Sequence, residues 1–291
     1  MNVEHYRQLE YEIINLVSTR GLTNAALDLF RECIWAYFAE HGRVLPWRET
    51  DDPYKVLVSE VMLQQTQVPR VLTKYREFIT AFPGFAELAA APLRDVLQIW
   101  QGLGYNRRAI ALKSAAEAVM EKFNGHLPSD FDALRSLPGI GPATAAQVLA
   151  FAFNKAVPYI ETNIRAVYIH FFFNDRTDVK DKELMPLIEH TLDTENPRDW
   201  YYAILDYGSM LKKTRVNPSR KSVHHTRQSP YEGSHRQLRA KALRAVLDRG
   251  NASSANVAKQ LKIDKEKARH VLDELVKEGF IKESGGTYSV E

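Results

Sequence analysis

Glu60 is the residue of this chain whose surroundings best suit proton-transfer chemistry. In a helix that starts at Pro53, the positions three and four residues away from it are taken by Val56, Leu57, Leu63 and Gln64. Three of these neighbours are aliphatic, so we expect the carboxyl group to be partly desolvated. Desolvation raises the pKa of a carboxyl group and suits it to act as a general acid. The alternative is an ordinary surface glutamate, which is the more common situation.

Uncharged amides begin four residues after this glutamate, in the run Gln64-Gln65-Thr66-Gln67. Amide side chains can hydrogen-bond base edges, or insert into a base stack, without bringing a charge there. This neighbourhood favours a functional role for Glu60.

Glu161 is a second carboxylate in a suggestive position. It lies in the segment Tyr159-Ile160-Glu161-Thr162-Asn163-Ile164-Arg165, after a predicted loop over residues 154–158. It could cap a helix that begins there, or it could face positive charge that develops in a reaction site. The spacing is compatible with both.

Residues 137–144, Leu-Pro-Gly-Ile-Gly-Pro-Ala-Thr, predict a tight connection between two helices. Gly139 and Gly141 permit a sharp turn and a close approach of the backbone to a partner. A helix that starts after Gly141 directs the unpaired N–H groups of its first turn, which reaches Thr144, toward an anion such as a phosphate. The segment is then a helix-hairpin-helix that holds a nucleic-acid backbone without reading its sequence. An ordinary glycine-capped corner between helices fits the hairpin alone equally well.

The elements that position these residues are helices, because residues 25–210 are almost entirely of helical character. Asp52-Pro53 predicts a helix start, with the helix running to about Gln67. Apolar residues at helical spacing, Leu112, Ala115, Ala116, Val119 and Phe123, predict a helix that Asn124-Gly125 ends. Another helix runs from about Thr144 to Phe151 or Phe153. No strand pattern with hairpin turns precedes residue 279.

Composition limits the class of protein. The 291 residues, 45% of them hydrophobic, suffice for one large domain and a small one. No apolar run is long enough to span a bilayer, and the N-terminus has no signal-peptide pattern, so we expect a soluble, cytoplasmic protein. Cys33, the single cysteine, lies in an apolar helical segment and is expected to be a core thiol.

The net charge of +3 is small, but positive charge is concentrated between Lys212 and Lys241. This stretch has nine Lys or Arg residues, three His residues and one acid, Glu232. It predicts an extended basic segment that contacts phosphates rather than packing in a core. A solvated linker is the weaker alternative. The candidate DNA contacts in its first part are Lys212, Lys213, Arg215, Arg220 and Lys221.

The last part of the chain predicts a winged helix-turn-helix. Its helices are predicted over Leu238–Asp248, from a cap at Ser253 or Ser254 to Leu261, and over Asp264–Lys277. A hairpin that turns at Gly285-Gly286 follows. The third helix presents Lys265, Lys267, Arg269 and His270, but also Asp264, Glu266, Asp273 and Glu274. This mixed face is equally compatible with DNA binding and with protein docking.

Several short motifs in this order carry a family resemblance. They are Pro46-Trp47-Arg48, Asp52-Pro53-Tyr54, Ser59-Glu60-Val61-Met62-Leu63-Gln64-Gln65-Thr66-Gln67-Val68, Gly102-Leu103-Gly104-Tyr105 and Leu137-Pro138-Gly139-Ile140-Gly141. Together they closely resemble the MutY-type adenine DNA glycosylases, within the helix-hairpin-helix superfamily that includes endonuclease III. The resemblance covers about residues 25–211. The long glutamate-glutamine string is specific to that branch, whereas the hairpin occurs in many DNA-binding proteins.

The resemblance implies an all-α, two-lobed helix-hairpin-helix glycosylase fold, here followed by the winged helix. The glycosylase domain would comprise residues 1–211, with a barrel lobe at about 53–154 and a second lobe from about 22–52 and 155–211. The basic segment 212–237 and the winged helix 238–291 would follow.

The resemblance also implies a role for each site residue. The target nucleotide would be flipped out of the duplex. Glu60 would protonate the purine leaving group, and Glu161, at the position of a family aspartate, would stabilise the cationic sugar beside Asn163. Gln64 or Gln65 would fill the gap in the duplex, and Tyr105 would contact the opposite side.

The chain departs from the family in four places. The members with an iron–sulfur cluster carry four cysteines after the segment matching residues 206–210, and this chain has none there, so we expect no cluster. Ala143 stands where bifunctional members have the Schiff-base lysine, so we expect base excision without strand cleavage. Glu161 replaces the aspartate and moves its carboxylate by more than ~1 Å, a displacement that can cost about a hundredfold in rate. A winged helix replaces the C-terminal domain that reads 8-oxoguanine.

Three hypotheses follow. The first is a monofunctional DNA glycosylase that acts as a monomer on double-stranded DNA and removes adenine opposite 8-oxoguanine or guanine. Thymine or uracil in mismatches, or another modified base, is the alternative substrate. The second hypothesis is a catalytically silent DNA-binding protein on the same scaffold. The third is a lyase that uses another amine, such as Lys155. The resemblance also suggests a monovalent cation held by backbone carbonyls of the hairpin.

Overall fold

Prolines, small capping residues and glycines determine where the helices of this chain begin and end. The computed structural model describes residues 5–226 and 229–290. Their helices are α1 (His5–Arg20), α2 (Asn24–His41), α3 (Pro53–Leu63), α4 (Val68–Ala81), α5 (Phe85–Ala90), α6 (Leu93–Trp100), α7 (Arg107–Lys122), α8 (Phe131–Arg135), α9 (Pro142–Phe153), α10 (Thr162–Phe172), α11 (Asp181–Thr191), α12 (Pro197–Thr214), α13 (His235–Arg249), α14 (Ser254–Leu261) and α15 (Lys265–Lys277). The strands are β1 (Asn251–Ser253), β2 (Lys282–Ser284) and β3 (Thr287–Ser289). Within these two ranges, no helix combines the length and the apolar character needed to cross a membrane.

Helix α3 begins where the sequence predicts but ends earlier. The Asp52 carboxylate accepts a hydrogen bond from the Tyr54 N–H at 3.0 Å and so caps its first turn. The predicted end near Gln67 is wrong, because Gln65 adopts a left-handed backbone with φ of 56°. Gln67 instead occupies the N-cap position of the following helix, α4, without a capping hydrogen bond from its side chain.

The first compact unit comprises the described residues up to Val56, together with Ser129–Arg135 and Ile140–Thr226. Inside it, α2, α10 and α12 pack around an aromatic core, and α1 covers α2. The ring centroid of Phe30 lies 5.1 Å from that of Phe171 and 6.1 Å from that of Trp200. Cys33 is a buried core thiol, as predicted, and donates to the Tyr6 carbonyl at 3.3 Å.

The second compact unit comprises Leu57–Pro128, Ser136–Gly139 and the described residues from Ser229 onward. Helix α7 packs on α5 and α6, and α4 packs on α6. Ring centroids of Phe78 and Trp100 lie 5.8 Å apart in this core. The apolar positions predicted for α7 from Leu112 to Val119 are buried, whereas Phe123, just past the helix, is half-buried.

The end of the second unit is a winged helix, as predicted. Helices α13, α14 and α15 are followed by a hairpin of β2 and β3 that turns at Gly285-Gly286. Strand β1, which was not predicted, pairs antiparallel with β3 and makes a sheet of order β1-β3-β2. Asn251-Ala252-Ser253 contains no β-branched or aromatic residue, so only its tertiary neighbour β3 makes it a strand.

Residues 212–241 do not form the single extended basic segment that was predicted. Lys212 and Lys213 belong to the last turn of α12, and Pro218–Lys221 is a 3-10 helix with Pro218 and Ser219 buried. The N–H of Val179 donates to the Lys221 carbonyl at 3.0 Å, and the N–H of Val223 donates to the Val179 carbonyl at 3.2 Å. These bonds tie the segment to the first unit. Arg227 and Gln228 lie outside the described residues.

Candidate active site

Glu60 lies on α3 and is only 7% exposed. Its predicted aliphatic neighbours Val56 and Leu57 are almost completely buried, at 1% and 0%. The position therefore places a carboxyl group where it is largely shielded from solvent.

The turn that follows Glu60 is organised by Arg108, a buried arginine that the sequence analysis missed. Its Nη1 donates to the carbonyls of Val61, Met62 and Gln64 at 2.8, 2.8 and 2.7 Å. Its Nη2 donates to Thr66 Oγ1 at 3.0 Å and to the Gly104 carbonyl at 2.9 Å. One guanidinium thus occupies the end of α3 and also reaches the loop before α7. No periodicity marks such a residue, because Arg107-Arg108 in the sequence resembles an exposed basic pair.

Gln65 and Tyr105, both predicted DNA contacts, share an unusual backbone conformation. Their φ angles are 56° and 48°, in the left-handed region that side chains other than glycine rarely adopt. Gln65 is exposed and Tyr105 is 39% exposed, whereas Gln64 is half-buried. Such conformations persist where the surrounding structure enforces them, and they cluster at ligand sites. Here the Arg108 hydrogen bonds enforce both.

Residues close to Tyr105 in the chain also fix the conformation of its loop. Gly102 and Gly104 both have positive φ, at 94° and 73°, which lets the chain turn sharply before Tyr105. The indole N–H of Trp100 donates to the Gly104 carbonyl at 3.2 Å. The loop therefore presents an aromatic ring to solvent from a fixed backbone.

Glu161 is the N-cap of α10, so the capping role left open by the sequence is present. Its Oε1 accepts hydrogen bonds from the N–H groups of Asn163 and Ile164 at 2.5 and 2.8 Å. Its Oε2 accepts from the amide of Asn163 at 3.2 Å. The additional methylene of glutamate is thus used to fold the carboxylate back over the helix N-terminus, where it has a fixed orientation.

Lys212 lies near Glu161 because α12 approaches the start of α10 closely. A Cβ atom at Gly208 would lie 2.6 Å from the Asn163 carbonyl oxygen, so only glycine permits this approach. Lys212 follows one turn later, on the same face of α12. Burial raises the pKa of Glu161, while the two N–H groups and the charge of Lys212 act in the opposite direction. Burial also lowers the pKa of Lys212, and the charge of Glu161 opposes that change.

Helix α12 is itself fixed by Asp206, which is 2% exposed. Arg48 binds this carboxylate in a bidentate manner, with Nη1 and Nη2 at 2.9 and 2.7 Å from its oxygens. Arg43 donates to it from Nε at 2.6 Å and from its backbone N–H at 2.8 Å. Burial acts to raise the pKa of Asp206, but the hydrogen bonds and charges of Arg48 and Arg43 outweigh it and lower that pKa. The motif Pro46-Trp47-Arg48 is therefore an anchor for the helix that carries Gly208 and Lys212.

The hairpin connects α8 and α9 through two glycines with different roles. Gly139 has φ of 75°, and a Cβ there would lie 2.6 Å from Cβ of Ala111. Gly141 has φ of −82°, which any residue can adopt, and no atom lies within 4 Å of its Cβ position. Neither the backbone conformation nor the packing within the protein therefore requires a glycine at this position. Helix α9 begins at Pro142, slightly before the predicted start. Thr144 is 6% exposed, so the predicted DNA contact at this position rests on its backbone N–H in the first turn.

The basic residues predicted to contact DNA differ in exposure and in the partners they bind within the protein. Lys213 and Arg220 are exposed. Arg215 pairs with Glu10 at 2.7 Å, and the Lys221 ammonium donates to the carbonyl of Asn174.

An iron–sulfur cluster of the family type needs four thiolates after α12, and the sequence has one cysteine, Cys33, in α2. The residues of this chain therefore do not fit that group. In its place, the segment after α12 is held by hydrogen bonds to Val179 and by the cap of Asn217 on Ser219, at 3.0 Å.

Comparison with known proteins identifies the family of this chain. Residues 58–190 match the HhH-GPD superfamily of base excision DNA repair proteins. A thymine/uracil-DNA glycosylase of Pyrobaculum aerophilum is 36% identical over 185 residues, which are 61% of this chain and 80% of that protein. The chain belongs to the HhH-GPD superfamily. Helix α3 from Val58 onward, the hairpin and α10 all fall within the superfamily region.

Adenine DNA glycosylases are also among the relatives, which confirms the predicted MutY-type resemblance. The protein of Mycobacterium tuberculosis is 41% identical over 133 residues, 45% of this chain and 44% of that protein. The protein of Buchnera aphidicola (Baizongia pistaciae) is 35% identical over 185 residues, 63% of this chain. This HhH-GPD chain spans about half the length of the latter, 53%.

Solved structures confirm the helical HhH-GPD fold. A thermostable thymine-DNA glycosylase superposes with a TM-score of 0.59 and 26% identity, covering 67% of this chain and 91% of that chain. Endonuclease III in a trapped covalent complex with DNA superposes with a TM-score of 0.56 at 20% identity, covering 72% of this chain and 91% of that chain. The winged helix is additional to the superfamily region, which ends at residue 190.

Proposed function

We propose that this protein is a monofunctional DNA glycosylase of base excision repair, which hydrolyses the N-glycosidic bond of adenine opposite 8-oxoguanine or guanine. The observation that carries the proposal is the buried carboxyl group of Glu60, which is 7% exposed and lies four residues before the glutamine turn at Gln64-Gln65. A protein that only binds DNA has no need of a buried carboxyl group in that position.

In this proposal Glu60 is the general acid. It donates its proton to a ring nitrogen of the adenine, so that the bond between C1′ and the base breaks with a neutral leaving group. A purine with a basic ring nitrogen is the substrate that such an acid serves best. Water then adds to C1′ and releases a proton, which restores the acid form of Glu60, and the products are an abasic site and free adenine.

Glu161 stabilises the positive charge that develops on the sugar, and it must be ionised to do so. Its burial favours the neutral carboxyl, and the nearby charge of Lys212 acts in the opposite direction, together with the hydrogen bonds from the N–H groups of Ile164 and Asn163. Lys212 is thus proposed as a positioning residue that acts through Glu161. This is a different role from the phosphate contact that the basic sequence suggested.

The substrate is double-stranded DNA, bound by a monomer. Gln64 and Gln65 fill the gap left by the flipped nucleotide, and Tyr105 lies against the opposite side. The hairpin binds the phosphate backbone at Gly139, Gly141 and the first turn of α9, where a monovalent cation on the hairpin carbonyls would assist. We further propose that Lys213 and Arg220, which are exposed, add phosphate contacts. The protein works without an iron–sulfur cluster and, with Ala143 at the lyase position, without cutting the strand.

The direct test is an excision assay on duplexes with A:8-oxoG, A:G, T:G and U:G pairs. We expect breaks at adenine that appear only after alkaline treatment, since the enzyme itself leaves the strand intact. Strand breaks without alkali, together with a borohydride-trapped adduct, would instead support a lyase. No product from any duplex at high enzyme concentration would refute the glycosylase and leave a silent DNA-binding protein.

Replacement of the acid sharpens this test. Glu60→Gln should slow excision by about 10²–10⁴-fold and leave DNA affinity unchanged. Glu121→Gln, at an exposed glutamate near the end of α7, is the matched control and should retain full activity.

A second candidate function is excision of thymine or uracil from mismatches. The observation that favours it is coverage, because this chain spans 80% of the thymine/uracil-DNA glycosylase and only about half of the Buchnera adenine glycosylase. The T:G and U:G duplexes in the same assay distinguish the two substrates.

A further inference from the structure

The winged helix carries two different charged surfaces. The exposed face of α15 is mixed, with Lys267 and Arg269 beside Glu266 and Asp273. Such a face has little net attraction for a polyanion. The N-terminal end of α13, in contrast, carries His235, Arg236 and Arg239 with no acid in its first turn.

Arg236 brings this basic end of α13 to the Tyr105 loop. Its Nη1 donates to the Tyr105 hydroxyl at 3.1 Å, and its Nη2 donates to the Ser229 carbonyl at 2.8 Å. Among the contacts of the described residues, Nε of Arg236 donates to none. The guanidinium thus lies at the tip of an exposed aromatic ring and keeps an N–H donor for another partner.

Glu278, at the C-terminal end of α15, holds the winged helix next to the Tyr105 loop. Glu278 accepts a hydrogen bond from Arg107 Nε at 3.0 Å and another from Arg239. Burial acts to raise the pKa of Glu278, but the two arginines outweigh it and lower that pKa. Arg107 is the first residue of α7, two positions after Tyr105. Helix α15 therefore uses its C-terminal end for docking within this unit.

A third contact fixes the other end of α13. Arg94 of α6 donates to the Leu247 carbonyl at 3.4 Å, in the last turn of α13. The same guanidinium lies 3.4 Å from the Cβ position of Gly250, the C-cap residue. Contacts at both ends of α13 leave it little freedom to swing away from the Tyr105 loop.

We propose that the winged helix adds a DNA-backbone contact through Arg236 of α13, beside Tyr105, and that the exposed charges of α15 take no part in DNA binding. This inference rests on the proposed function, because it assumes that the Tyr105 loop meets DNA. An exposed aromatic ring next to a guanidinium suits a nucleotide, whose base can stack on the ring while its phosphate accepts from the guanidinium. A protein partner for α15 is the alternative.

The experiment measures binding of the full chain to a duplex that contains an uncleavable adenine analogue opposite guanine, by fluorescence anisotropy at several salt concentrations. Arg236→Met should weaken binding roughly tenfold and reduce the slope of log K against log salt by about 1, the signature of one lost phosphate contact. The double variant Lys267→Met and Arg269→Met removes two exposed charges from α15 and should leave the slope unchanged.

Arg236→Lys protects the test against a folding defect. Lysine keeps the charge, so the salt slope should return to that of the unaltered protein. A reduced slope in the α15 variant would overturn the proposal, whether or not Arg236→Met also reduces it. An unchanged slope in Arg236→Met would overturn it as well. Failure of the proposed function is recognised separately, as absence of excision by the unaltered protein.

Discussion

Two buried arginines, one in each unit, anchor loops near the candidate carboxylates, and their charges are treated in opposite ways. In the first unit, Arg48 is 8% exposed at its side chain and is bound by the Asp206 carboxylate. In the second unit, Arg108 is 9% exposed, and its hydrogen-bond partners are carbonyl and hydroxyl oxygens without charge. The first anchor is an ion pair, and the second is a cation held by dipoles.

The two anchors support different parts of the candidate site: Arg48 fixes helix α12, and Arg108 fixes the turns at Gln65 and Tyr105. The Arg48 charge lies directly against the Asp206 carboxylate, which Arg43 also binds, and this anchor fixes α12. The Arg108 charge stays uncompensated beneath the turns that carry Gln65 and Tyr105, where a polyanion would be attracted to it. Burial lowers the pKa of Arg108 to about 10, so the group remains charged at neutral pH.

The ion pair should show the larger effect on stability. Asp206→Asn leaves Arg43 and Arg48 without their carboxylate, and we expect it to lower the free energy of unfolding by about 3–5 kcal/mol at pH 7. Because the pKa of Asp206 is lowered in the folded protein, its stabilisation exists above the unfolded pKa and is lost as the pH falls through the folded pKa. In urea unfolding, the difference in the free energy of unfolding between the unaltered protein and Asp206→Asn should therefore become smaller below about pH 3.8.

The control for this measurement is Asp132→Asn, at a carboxylate that is 90% exposed and lies 4.0 Å from Arg135. It should change stability little, since exposed pairs contribute little. A similar loss in both variants would contradict the assignment of Asp206 as the anchor.

The dipole-held arginine should show a smaller loss of stability but a direct loss of function. Arg108→Met leaves the carbonyls at the end of α3 without their donor, at a cost of about 2–4 kcal/mol. Excision should fall because the turns at Gln65 and Tyr105 lose their common support. Arg108→Lys should recover only part of the activity, because an ammonium lacks the planar fork that reaches both turns. Full excision activity in Arg108→Met would contradict the proposal that Arg108 supports excision through these two turns.

The close approach of α12 to α10 can be broken by a single methyl group. In Gly208→Ala the new Cβ would lie 2.6 Å from the Asn163 carbonyl, so α12 must shift, and we expect a loss of about 1–3 kcal/mol with slower excision. Gly141→Ala, which meets open space, should leave the free energy of unfolding nearly unchanged. Equal free energies of unfolding of Gly208→Ala and Gly141→Ala in urea would show that the close packing of α12 against α10 does not require a glycine at position 208.

The smallest expected effect is electrostatic. Lys212→Met removes the charge that lowers the pKa of Glu161, so that pKa should rise and less of the carboxylate is ionised at neutral pH. The acidic limb of the pH–rate profile should move to higher pH, with roughly tenfold slower excision at pH 7, about 1.4 kcal/mol. Lys213→Met, at the exposed neighbour, should leave the profile in place. Lys212→Arg should restore it, and a purely structural role of Lys212 would not shift the limb.

Much of the helical pattern was predictable because it is local. Asp52-Pro53 gave the start of α3, Ser253 gave the cap of α14, and Gly285-Gly286 gave the turn of the wing. The end of α3 was not predictable, because it depends on a guanidinium more than forty residues later in the chain. Strand β1 was missed for the same reason, since it exists only beside β3.

The candidate chemistry divides in a similar way. The sequence by itself determined which residues are candidates for the site, Glu60, Gln65, Tyr105 and Glu161, and it determined the single cysteine and the alanine at position 143, because these are properties of residue type and order. Only the tertiary structure decided that Arg108 supports two turns, that Gly208 lets Lys212 approach Glu161, and that the winged helix places Arg236 on Tyr105. Those relations join residues far apart in the chain, and burial and hydrogen-bond geometry, which determine them, have no local signature.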